Sequence, residues 1–201
     1  AEDGTVQHAW NTSWGVSTRM VGGVIMAHGD DDGLRVPPAI APFQIVIIPM
    51  LREVPEDGAL LSYCGELRAM LNERSALAEP IRVLLDAKPG KAAAKRWDWV
   101  RKGAPLIVEV GPRDMAEGKV AVLRRDALWN PDNGKPAFAF LAREAFAQTA
   151  ADLLASVQAA LYDQAHARRE ANITRDIAGF DDLATHFAEE RRYPGWAEVQ
   201  W

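Results

Sequence analysis

The run FQIVIIP, residues 43–49, constrains the fold more than any other stretch of this chain. Its apolar side chains are consecutive, not alternating, so a strand made from them must be covered on both faces. Two covered faces call for helices on either side of a sheet. The residues that follow supply them. Residues 56–78 set Leu60, Leu61, Cys64, Leu67 and Leu71 against Glu66, Arg68, Glu73 and Arg74, the pattern of an amphipathic helix. A strand at 82–85, a helix at 91–102, and strands at 105–110 and 119–125 come next. The link between the last two strands is short, so they should be antiparallel; helical crossovers should make the earlier pairs parallel. The expected fold is α/β, a mixed and mostly parallel sheet flanked by helices.

Beyond the break at Asn130-Pro131-Asp132-Asn133-Gly134, Phe138, Leu141, Ala145, Leu153, Val157 and Leu161 recur at helical spacing and predict a long helix over 138–170. A short helix from Gly179 carries Phe180, Leu183 and Phe187, and the closing residues read as the beginning of a strand. Upstream, residues 1–28 read as strand, turn and short helix. Val6, His8 and Trp10 alternate, Gly15 permits the turn, and Ser17 is placed to cap the helix. His28 closes that helix, as a cap on its last carbonyls or, less simply, as a wall of a substrate pocket. Glycine, aspartate and proline between 28 and 42 mark a hinge. The expected units are 1–37, 38–137 and 138–201.

The net charge is −5, yet residues 88–102 hold Lys88, Lys91, Lys95, Arg96, Arg101 and Lys102 against Asp98 alone. That local +5 leaves −10 for the remainder, a basic patch on an acidic body that steers an anion to one face. A solvated helix face is the plainer explanation. The single cysteine, Cys64, excludes an intramolecular disulfide and any cysteine-pair metal site, and points to a reducing, cytoplasmic compartment. The apolar runs are too short and too broken by proline to span a bilayer.

Two groups of residues carry recognition chemistry. At the start of the first helix, free N–H groups suit a phosphate, and Arg19 adds a fork of donors for a triphosphate or a purine face. On the helix at 91–102, Lys95, Trp99 and Lys102 fall on one face, cations interleaved with an aromatic, as single-stranded RNA binding requires. Trp97 is expected in the core with Ala93 and Val100. At the turn after strand 105–110, Arg113 can grip guanine O6 and N7, and Glu109 can accept from guanine N1 and N2. Internal ion pairs, Glu109 with Arg113 or Asp114 with Arg124, are the plainer alternative.

The run TSWGVSTR, followed by a helix and then HGDDDGL and VPPAIAPFQIVIIP, resembles prolyl-tRNA synthetase, at the third signature motif of class II synthetases running into the anticodon-binding domain. GAPLIVEVGPRDM through VAVLRRD is similar to the anticodon domain of the same family. The resemblance covers roughly residues 5 to 175 and implies a proline–tRNA ligase, of which this chain would be a carboxy-terminal portion that is inactive alone. It implies ATP contacts at Ser17 and Arg19. It implies a proline and adenylate pocket floored by Ser13, Trp14 and Gly15, where a Cβ on Gly15 would intrude. Lys95, Trp99, Lys102, Glu109, Arg113 and Arg124 would meet the anticodon. The partners implied are proline tRNA, and ATP with Mg2+ and proline through the catalytic half, in a homodimer. No catalytic base, nucleophile or metal ligand is expected in this chain.

A free-standing anticodon-domain paralogue that binds RNA without catalysis is the alternative. An unrelated doubly wound enzyme is disfavoured because no GxGxxG or GxxxxGKS/T loop follows any strand.

Overall fold

A computed structural model describes residues 4–6, 8, 11–188 and 194–199. Its elements in chain order are α1 (Arg19–His28), β1 (Ile45–Pro49), α2 (Asp57–Asn72), β2 (Ser75–Ala76), β3 (Glu79–Pro80), β4 (Val83–Leu85), α3 (Ala92–Lys102), β5 (Leu106–Val110), α4 (Pro112–Ala116), β6 (Lys119–Arg124), β7 (Ala139–Ala142), α5 (Arg143–Glu170), β8 (Ile173–Thr174), α6 (Phe180–Ala188) and β9 (Trp196–Ala197). Five strands form one sheet in the order β4-β1-β5-β6-β7. The β4–β1 and β1–β5 pairs are parallel, and β5–β6 and β6–β7 are antiparallel. The mixed, mostly parallel α/β sheet expected from the apolar runs is therefore present.

Alternate side chains of each central strand enter two separate cores. Ile45 and Ile47 of β1, with Leu106 and Val108 of β5, pack on α2 and α5. Val46, Ile48 and Ile107 face α3, through Val100 and the two half-buried tryptophans Trp97 and Trp99. All five residues of β1 and all five of β5 are buried, which is why neither run alternates with polar side chains. Cys64 lies in the α2 core, and burial pushes its thiol up to about 12, so it is an inert apolar side chain.

Four boundaries differ from the sequence reading. The helix expected over 56–78 ends at Asn72, and the chain turns back through the β2–β3 hairpin. Leu77 and Ala78 occupy positive φ there, a turn without the glycine or asparagine that normally announces one. The helix expected over 138–170 begins at Arg143, because residues 139–142 pair with β6 as β7. Phe138 and Leu141 thus precede it, Ala145 is exposed, and the buried stripe is Phe146, Ala147, Ala150, Leu154, Val157 and Leu161. Both β7 and α5 belong to the α/β body, so the expected boundary at 137/138 falls inside it. At the front, the expected strand does not form among the described residues: 11–17 are irregular, and Trp10 lies outside the described residues. Thr18, in the αR region, takes the N-cap position of α1, while the Ser17 hydroxyl accepts the Arg19 amide at 3.4 Å. His28 is not a cap either; its own carbonyl accepts Arg35 Nε at 2.6 Å. Burial, with Arg35 and Arg168 alongside, lowers the pKa of its imidazole.

Candidate nucleic-acid interface

The parallel strands β4, β1 and β5 end at one margin of the sheet, where open α/β sheets place their ligand crevices. Three connections leave from it: 50–56 after β1, 86–91 after β4, and Gly111 after β5, leading straight into α4. Between the first two lies a cleft of about 450 Å³, lined among others by Arg52, Asp57, Pro89, Gly90 and Lys91. One carboxylate oxygen of Asp57 accepts the amides of Arg52, Glu53 and Val54, which fixes that turn and lets Glu53 sit at positive φ. Arg113 extends from α4, its side chain 91 % exposed and, among the described residues, bonded to Glu117 alone at 3.1 Å. Asp114 accepts the Gly111 amide at 2.8 Å, so neither Glu109 with Arg113 nor Asp114 with Arg124 forms the ion pair considered above.

Glu109 takes the α3 side of β5 and is nearly fully buried; Arg96 of α3 meets it at 2.8 Å. Burial raises its pKa, and the Arg96 charge and hydrogen bond only partly offset this. Arg96 also lies over the Trp97 and Phe138 rings, 5.6 and 5.5 Å from their centroids, and its Nε finds no partner among the described residues. Glu109 is thus held inside the body by Arg96 and not presented at the surface as the guanine acceptor expected at this turn. Trp97 stacks obliquely on Trp129 with centroids 5.6 Å apart. Ala93, expected beneath it, is exposed.

At the other end of α3, Trp99 is held rather than free. Its indole N–H donates to Asp86 at 2.9 Å, Phe43 meets it edge-on at 6.1 Å, and the Lys102 ammonium lies 4.5 Å from its ring centroid. Val36, Pro42, Phe43, Trp99 and Lys102 border a cleft of about 250 Å³. Lys95 does not share this surface. It is 8 % exposed and donates to the carbonyls of Asp86 and Lys88, with the Asp86 carboxylate at 3.6 Å. Helical spacing aligned it with Trp99, but that side of α3 looks along edge strand β4, and the ammonium caps the chain leaving the strand. Burial works to raise the Asp86 pKa; the Trp99 and Lys95 contacts outweigh it and the net shift is downward.

Arg124 departs too. It follows Val120 and Val122 in alternation, onto the α5 side of the sheet, where it meets Asp126 at 2.8 Å and Ser156 at 3.2 Å. On the α3 side the structure brings together Trp99 and Lys102, with Glu109 held by Arg96; Arg113 stands apart from them on α4, which packs against α2 and β6. Asp86, Phe43 and Arg96 were missed; an acid directly after the apolar VLL of β4 was the signal available for the first.

Ser13, Trp14, Gly15, Ser17 and Arg19 are all exposed along the segment entering α1. A Cβ added to Gly15 would meet nothing within 4 Å, so within this chain sterics do not demand glycine there.

Residues 44–130 match the family model of the anticodon binding domain. The chain is 55 % identical over 199 residues to a proline–tRNA ligase of Erythrobacter litoralis, 58 % over 200 residues to that of Novosphingobium aromaticivorans and 57 % over 199 residues to that of Sphingopyxis alaskensis. These alignments take in 99, 100 and 99 % of the chain, but only 39, 39 and 37 % of the respective relatives. Among the described residues no helix is long and apolar enough to cross a membrane.

Proposed function

The chain belongs to the proline–tRNA ligase family, and on that premise we propose that it is the tRNA-reading part of an enzyme that joins proline to its tRNA at the expense of ATP. The proline carboxylate displaces pyrophosphate from ATP, and the tRNA ribose then takes the prolyl group and releases AMP. The enzyme's contribution is mainly positioning and charge stabilisation. Ser17 and Arg19 are the proposed ATP contacts, with Mg2+ accompanying the nucleotide, and Ser13, Trp14 and Gly15 the proposed floor of the proline pocket. The anticodon is proposed to stack near Trp99 with its phosphates near Lys102, while Arg113, exposed on α4 after β5, reads guanine, and Glu109 contributes only through its partner Arg96. Lys95 and Arg124 are left out of that surface by where their side chains go. The proposed setting is a cytoplasmic homodimer. In that reading residues 1–37 belong with the catalytic domain, and 38–137, with the β7 strand and long helix that complete its sheet, read the anticodon.

The observation that carries this reading is identity of 55–58 % along essentially the whole chain to proline–tRNA ligases. The decisive experiment is binding of proline-tRNA transcripts whose anticodon guanines have been changed. We expect the native transcript to bind more tightly, and Arg113→Ala to cost about 1–3 kcal/mol in a guanine-dependent way. Equal affinity for native and altered transcripts overturns the reading. Pyrophosphate exchange by this chain alone should stay at background.

A further inference from the structure

The hinge between α1 and the sheet is not a loose tether. It is bonded to the last turn of α3, the same turn that carries Trp99 and Lys102. Leu34 N–H donates to the Arg101 carbonyl at 2.9 Å and Val36 N–H to the Gly103 carbonyl at 3.2 Å. The two backbones are in direct contact. A Cβ on Gly33 would lie 2.6 Å from the Arg101 Cα, and one on Gly103 would lie 2.8 Å from the Leu34 carbonyl carbon. Both glycines hold positive φ, 126° and 79°, so no other residue fits without strain.

Arg125, at 2 % exposure, fastens this junction from beneath. Its Nε donates to the Val100 carbonyl at 3.0 Å, and its two terminal nitrogens grip the Asp30 carboxylate at 2.9 and 2.5 Å. Asp30 lies two residues beyond the end of α1, and Arg35 approaches the same carboxylate at 3.5 Å. Among the described residues, these two guanidinium ions are the charged partners of Asp30. One fully buried guanidinium therefore joins the carbonyl end of the proposed reading helix to the residue that anchors α1.

We propose that Arg125 and Asp30 are positioning residues that couple RNA bound at the last turn of α3 to the placement of α1, the helix that begins at Arg19. A last turn held still by RNA keeps the Val100, Arg101 and Gly103 carbonyls in place, and these hold the hinge. The inference rests on the anticodon-reading function proposed above and adds a route by which reading reaches the nucleotide end. Backbone contact and a buried bidentate pair are rigid links, which distinguishes this route from a flexible linker.

The test is hydrogen exchange on the 201-residue chain with and without an RNA stem-loop carrying the proline anticodon. In the parent protein, RNA should slow exchange of the Gly29 amide, which closes the end of α1 on the Ile25 carbonyl, by about fivefold or more, the lower range of ordinary coupling. Asp30→Asn, at a partly exposed position outside the RNA surface, should leave RNA affinity nearly unchanged and abolish that slowing. Arg125→Met should do the same; if it fails to fold, Asp30→Asn decides. RNA binding with no change at Gly29 in the parent, or equal slowing there in parent and Asp30→Asn, overturns the coupling while leaving RNA reading intact. A parent protein that binds no stem-loop overturns both.

Discussion

The α/β body and the segment leading into α1 are both rich in apolar side chains and use them in opposite ways. Ile45, Ile47, Leu106, Val108 and Phe146 are wholly buried between layers. Trp14, Met20, Val21 and Met26 remain between 63 and 91 % exposed, and α1 has no buried residue. The body is stabilised by burial. Helix α1 keeps its place through the hinge and through polar ties such as Arg168 to the Ala27 carbonyl. Contiguous exposed apolar surface of this sort marks a place where another surface docks. The largest expected effect tests this contrast directly: Phe146→Ala should lower stability by about 3–5 kcal/mol, and Met26→Ala should stay within about 0.5 kcal/mol. Urea midpoints for the two variants measure it, and a comparable loss in both would erase the distinction.

The same division runs through α3. Lys95 belongs to the interior and Lys102 to the margin, although seven residues of one helix separate them. Replacing Lys95 by Met keeps the aliphatic stem but leaves the Asp86 carboxylate and two strand-end carbonyls without their ammonium, at a cost of about 2 kcal/mol. The pH dependence has a definite sign. The Asp86 pKa is depressed in the fold, so its stabilisation is present above the unfolded value of about 3.9 and is lost as pH falls through the folded value. Without Lys95 that folded value rises, so stability in the variant should begin to fall at a higher pH than in the parent. Parallel stability–pH curves for parent and Lys95→Met would place Lys95 outside the interior network.

What the amino-acid sequence disclosed follows from these physical differences. Continuous apolar runs made β1 and β5 legible, because only a strand covered on both faces tolerates them. The short link after β5 gave the antiparallel partner. Strand β7 was illegible because its residues are largely exposed and are held by pairing with β6 rather than by a pattern of their own. In the proposed site, helical spacing did group Lys95, Trp99 and Lys102, but spacing does not say which side of the helix has room. The answer lay in Asp86, on a different element. Arg124 was misplaced for a related reason: alternation sends it to the side of Val120 and Val122, and only the topology reveals that α5 covers that side. Arg125, one residue later, has the opposite side and therefore the hinge.

The smallest expected effect lies at Lys102, and it has two opposing parts. Its ammonium rests over the Trp99 ring, so a base arriving to stack on that face must displace it. Stacking on an aromatic is worth about 1–3 kcal/mol per base, and Trp99→Ala should lose about that much for any RNA sequence. Lys102→Ala instead uncovers the ring while removing one phosphate contact. At low salt the lost charge dominates and affinity falls. The slope of log K against log salt should shrink by about 0.7 for a single strand, so the deficit narrows as salt rises, and the uncovered ring can reverse it. Titrations of an anticodon stem-loop at several salt concentrations read both parts from one set of curves. An unchanged slope would mean that Lys102 serves Trp99 alone and belongs, like Lys95, to the body.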